Sequence, residues 1–83
     1  MSKAKKYLDL GLAYGKSGKY EEAIESYTQA IEIDPDNAEA HWGLGAAYGK
    51  TGMTEKAIKS YKQALRIDPD ATFGKRVFNK LKR

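Results

Sequence analysis

Apolar side chains recur along this chain at helical spacing. Tyr7, Leu10, Gly11 and Tyr14 follow an i, i+3, i+4, i+7 pattern, which is one stripe of a helix. Ser17-Gly18 interrupts the run, and Gly18 suits a left-handed C-cap. A second stripe follows in Ala23, Ile24, Tyr27, Ala30 and Ile31, leaving Glu21, Glu22, Glu25 and Glu32 to solvent. Asp34-Pro35 stops it, because proline lacks an amide donor and disfavours the helical conformation in the residue before it. Asp36, with Glu39 three residues on, is placed to cap the next helix through a capping box, and Thr54 and Asp70 are the later counterparts. No segment alternates with period two, so the expected class is all-α.

The pattern then repeats itself. Residues 4–37 laid over 38–71 align without a gap, and nineteen of the 34 pairs are identical. Leu10/Leu44, Gly11/Gly45, Ala13/Ala47, Tyr14/Tyr48, Gly18/Gly52, Ala23/Ala57, Tyr27/Tyr61, Ala30/Ala64 and Pro35/Pro69 all coincide. A fixed period of this size predicts stacked helical hairpins, each burying its apolar face on the next. Residues 72–83 continue the register as a third first-helix, with Phe73, Val77, Phe78 and Leu81 as its apolar stripe. That segment reads as a C-terminal cap over the second unit. The competing reading is a basic amphipathic helix on anionic lipid or nucleic acid, disfavoured because one stripe cannot be buried twice.

The quoted positions resemble the tetratricopeptide repeat family, whose 34-residue signature is W-x2-L-G-x2-Y…A-x3-F…P. The first copy has Tyr7-x2-Leu10-Gly11-x2-Tyr14…Ala23-x3-Tyr27…Pro35, and the second His41-x2-Leu44-Gly45-x2-Tyr48…Ala57-x3-Tyr61…Pro69. Tyr or His replaces the first Trp, Tyr replaces Phe, and Trp42 stands one place late. The resemblance implies a right-handed superhelical solenoid of two antiparallel helix hairpins (4–37 and 38–71) with a capping helix at 72–83. It also implies a non-catalytic scaffold whose first helices line a concave groove for a peptide or partner helix.

Composition narrows the chemistry. The 83 residues make one small domain and contain no Cys and a single His, which leaves neither thiolate chemistry nor a protein-only transition-metal site. There is no run of about 18 apolar residues to span a bilayer. The charged start, Met1-Ser2-Lys3-Ala4-Lys5-Lys6, is unlike a secretory leader, so the expected location is cytoplasmic. The net charge of +4 is unevenly spread. Residues 4–37 carry four Lys against seven acids, residues 38–71 five bases against four acids, and residues 72–83 five bases and no acid. A uniformly basic nucleic-acid binder is distributed differently.

Two glycine motifs imitate phosphate loops. Gly15-Lys16-Ser17 and Gly49-Lys50-Thr51 resemble the end of G-x-x-x-x-G-K-[ST], but the required upstream glycines fall on Leu10 and Leu44. Gly43-Leu44-Gly45-Ala46-Ala47-Tyr48-Gly49 is one residue too long for G-x-G-x-x-G and follows no strand. His41, at the family's aromatic position, reads as a packing histidine. Asp34, Asp36, Asp68 and Asp70 read as turn and cap residues. No catalytic set stands out and no cofactor is implied.

On a helical wheel, Lys5, Leu8, Leu12 and Lys16 cluster opposite the Tyr7/Tyr14 stripe, and the later equivalents include Glu39, Trp42, Ala46, Lys50, Phe73, Arg76 and Lys80. By resemblance this face lines the groove, offering Leu8, Leu12 and Trp42 as apolar contacts ringed by Lys5, Lys16, Lys50, Arg76 and Lys80. The expected partner is a protein or peptide segment with an apolar anchor and acidic flanks. For Trp42, packing between helices stands as an equal alternative. The family's carboxylate clamp of Lys and Asn is missing, since Leu8, Leu12 and Gly43 occupy those positions. Glu22, Glu25 and Glu32 in one copy become Lys56, Lys59 and Arg66 in the other, which suggests acid–base pairing between adjacent copies. Two repeats and a cap fall short of the roughly three usually needed for stability. Homo-oligomerisation is therefore a second expectation, as in a self-assembling, designed or excised structural scaffold without a dedicated ligand.

Overall fold

A computed structural model describes residues 2–70, and the expected cap at 72–83 lies outside the described residues. Four helices follow in order: α1 (Lys3–Lys16), α2 (Tyr20–Ile33), α3 (Ala38–Lys50) and α4 (Thr54–Ile67). No strand occurs among the described residues.

The turns show why the helices begin and end where they do. Gly18 takes φ 78° and Gly52 takes φ 82°, the left-handed conformation that a Cβ disfavours. In the first turn the Gly18 amide donates to the Gly15 carbonyl at 3.1 Å and the Lys19 amide to Tyr14 at 2.9 Å. Gly52 to Gly49 at 3.2 Å and Met53 to Tyr48 at 2.9 Å repeat this Schellman closure. The expected caps differ. Asn37, not Asp36, caps α3: its Oδ1 accepts from the Ala40 amide at 3.0 Å. Asp36 is instead tied into the preceding turn, its amide donating to Asp34 Oδ1 at 3.3 Å. Thr54 is the first residue of α4 rather than its cap, because the Schellman turn ends at Met53. Asp70 repeats Asp36, with its amide donating to Asp68 Oδ1 at 3.1 Å.

α1 lies against α2, α3 against α4 and α2 against α3, with a smaller contact between α1 and α3. Among the described residues, the buried apolar ones are seven alanines (Ala4, Ala23, Ala30, Ala40, Ala47, Ala57, Ala64) with Leu8, Leu44 and Tyr27. Alanine contributes little apolar area but lets helices approach closely, so the few large side chains dominate the burial energy. Ser26 and Ser60 are buried at the same position of the two hairpins, again where space is short.

The core differs from the sequence expectation at three residues. Leu10 is 37 % exposed whereas its counterpart Leu44 is 9 % exposed, because α3 has α2 on that side and α1 has no described element there. Pro35 and Pro69 are exposed in the turns, where they stop helices rather than fill the core. The remaining expected core positions, Tyr7, Gly11, Tyr14, Ala23, Tyr27, Ala30, Gly45, Tyr48, Ala57, Tyr61 and Ala64, are buried or partly buried.

Candidate interaction groove

Tyr27 of α2 organises the surface between the two first helices. It is 4 % exposed and its ring stands in close contact with two glycines. A Cβ on Gly11 of α1 would stand 2.7 Å from Tyr27 Cε1, and one on Gly43 of α3 would stand 2.3 Å from its Cζ. Any side chain at either position collides with the ring, so glycine there is a packing requirement. Burial pushes the Tyr27 hydroxyl above its ordinary pKa, and the nearby Glu39 carboxylate adds to the effect.

Above this wedge runs a groove of about 250 Å³ lined by Leu12, Gly15, Lys16, Tyr20, Ala23, Tyr27, Gly43, Ala46, Ala47 and Lys50. Its floor is small and apolar. Leu12 is 39 % exposed on one wall, and Lys16 and Lys50, one 34-residue period apart, stand at the ends of α1 and α3. Four expected groove residues therefore meet here: Leu12, Lys16, Ala46 and Lys50.

The others lie elsewhere. Leu8 is 7 % exposed and belongs to the core with Ala23, Tyr27 and Leu44, so it is no groove contact. The stripe that α1 buries is Ala4, Leu8 and Gly11, rotated from the Leu10-centred stripe expected. Lys5 is an exposed partner of Asp9, 3.6 Å away. Trp42 is partly buried against Tyr61 of α4, ring centroids 4.7 Å apart, and does not line the groove. Arg76 and Lys80 fall outside the described residues. Tyr20, Ala23, Tyr27, Gly15, Gly43 and Ala47 were not expected in the groove. Three of these come from α2 and Gly15 from α1, and for the two on α3 the sequence signal was a run of small residues.

The Gly-Lys-Ser and Gly-Lys-Thr segments close helices α1 and α3, with the Ser17 and Thr51 amides donating to Ala13 and Ala47 carbonyls. Anions favour helix N-termini, so these ends do not cradle phosphate. His41 Nε2 lies 3.0 Å from the Pro35 carbonyl, which makes it a donor that ties α3 to the preceding turn. Among the described residues, no group of three or more His, Cys, Asp or Glu could hold a metal ion, and no helix is long and apolar enough to cross a membrane. Among the same residues, no ion pair joins Glu22, Glu25 or Glu32 to Lys56, Lys59 or Arg66.

Two family comparisons match the chain: one described as TPR repeat over residues 11–52, the other as tetratricopeptide repeat over residues 38–71. The chain belongs to the tetratricopeptide repeat family. Two crystal structures of MamA are each 36% identical to it, with TM-scores of 0.77 and 0.74, and each match covers 81% of this chain. The second tetratricopeptide domain of Spaghetti (RPAP3), bound to the HSP90 peptide SRMEEVD, is 38% identical with TM-score 0.80 over 82% of this chain. These matches cover 39%, 37% and 63% of the respective solved chains, so this tetratricopeptide chain spans only part of each. No curated protein matches. As a tetratricopeptide helical repeat, the chain is a general protein–protein interaction module.

Proposed function

We propose that the groove between α1 and α3 binds a peptide segment with one apolar anchor and acidic flanks, without catalysis. The observation that carries this is the pairing of an apolar floor (Ala23, Gly43, Ala46, Ala47) and the Leu12 wall with Lys16 and Lys50. An apolar side chain gains affinity by leaving water on that floor, and the lysines reward carboxylates on either side of it. The RPAP3 domain bound to SRMEEVD, a peptide with a methionine beside acidic residues, supports the same ligand chemistry. The grip would differ, since Leu12 and Gly43 stand where the resemblance places clamp asparagines.

The test is fluorescence anisotropy with labelled SRMEEVD and with a panel of peptides carrying a single Leu or Phe between glutamates. Binding is expected for at least one anchor type and is expected to weaken with salt. The double variant K16E/K50E should lose about tenfold in affinity, equivalent to about 1.4 kcal/mol, and Leu12→Ala a comparable amount. Affinities left unchanged by both substitutions, in variants that keep their helicity, would sink the groove reading.

A further inference from the structure

The internal repeat makes the two ends of the molecule copies of surfaces already seen in contact. On the α2 side of the central interface, Ile24 and Ile31 pack partly buried against the core that includes Leu44 of α3. On the α3 side, His41, Leu44 and Tyr48 line one crevice with Ile31. One period later, α4 presents Ile58 and Leu65 where α2 has Ile24 and Ile31, and both are 46 % exposed. One period earlier, α1 presents Tyr7, Leu10 and Tyr14 where α3 has His41, Leu44 and Tyr48, with Leu10 37 % exposed. Each open end therefore carries one half of a contact whose other half stands at the opposite end.

We propose that a second copy of this chain docks its α1 on the open α4 face, continuing the stack head to tail. The contact is heterologous, so each copy keeps one donor and one acceptor end and chains can grow. It is separate from the groove, and its test does not depend on the peptide reading. The fit is looser than the α2–α3 contact at one point. Asp9 stands in the register position of Gly43, where a Cβ would meet the counterpart tyrosine ring, so Tyr61 must turn aside. Association is accordingly expected at high rather than trace concentration. The rival occupant of the α4 face is the chain's own residues 71–83, outside the described residues. In register, that segment puts Lys75 and Lys82 where α3 has His41 and Tyr48, whereas α1 keeps aromatic rings at both positions. It also adds five bases and no acid beside Lys59, Lys62 and Arg66.

Sedimentation equilibrium over a micromolar to near-millimolar series tests this on the full chain. The weight-average mass is expected to rise with concentration above the 9.2 kDa monomer. Leu10→Lys closes the α1 end and the I58K/L65K variant closes the α4 end, all at exposed positions that leave helicity intact by circular dichroism. Either variant alone should remain monomeric, because every contact needs both kinds of end. An equimolar mixture should form a 1:1 dimer and nothing larger, since the two open ends are complementary. A wild-type monomer throughout, a mixture that stays monomeric, or self-association of either variant alone would each overturn the proposal.

Discussion

Tyr27 and Tyr61 occupy the same place in the two hairpins and are flanked by nearly the same residues, yet they are packed differently. Tyr27 is 4 % exposed because both α1 and α3 pack against its ring, each offering a glycine. Tyr61 is close to Gly45, with a would-be Cβ contact of 2.9 Å, but its ring partner, Trp42, comes from the same helix α3, and it stays partly exposed. Leu44 and Leu10 differ in the same way. In a stack, a side chain's burial is set by whether a neighbour follows, and the repeat's own sequence supplies only half of each interface.

The sharpest way to break the comparison is to truncate both rings. Tyr27→Ala removes the most deeply buried aromatic among the described residues and should cost about 3–5 kcal/mol, enough to leave so small a protein largely unfolded in urea titrations. Tyr61→Ala should cost less than half as much. Equal losses would mean that residues beyond 70 bury Tyr61 as fully as α3 buries Tyr27.

Glycines give a smaller contrast with opposite signs. Gly43→Ala drives a methyl into the Tyr27 ring, which is also packed closely against Gly11, so overpacking should cost about 1–3 kcal/mol. Gly49 lies six residues further along the same helix with nothing within 4 Å of its Cβ position. Gly49→Ala should therefore stabilise by about 0.5–1 kcal/mol through helix propensity alone. Thermal midpoints moving in the same direction for both would show that Tyr27 is not held where the structure puts it.

The smallest effect is a pH dependence confined to one hairpin. The folded state holds Tyr27 as the neutral phenol, with its pKa raised above the ordinary 10.0 by burial first and Glu39 second. Its contribution is fully present below pH 10 and is lost as pH rises through the raised folded value. Chemical denaturation from pH 8 to 11 should show a steeper alkaline decline for the wild type than for Tyr27→Phe. Parallel declines would remove Tyr27 as the titrating group.

The sequence by itself determined the four helices of the two repeats, the 34-residue period and the left-handed glycine that closes the first helix of each repeat, because these follow from local backbone preferences and spacing. It also pointed to Leu12, Lys16, Ala46 and Lys50 as one surface, since a helical wheel needs no neighbours. Only the tertiary structure decided which stripe faces inward. A wheel ranks residues by type, so it centred α1 on Leu10 and placed Leu8 outside. The packed helices instead turn Ala4, Leu8 and Gly11 inward, because close approach favours the smallest side chains at the contact. The same geometry put Tyr20 and Tyr27 of α2 into a groove expected from first helices alone, and set Trp42 against Tyr61. Those choices depend on which helix stands next to which, and no single helix encodes that.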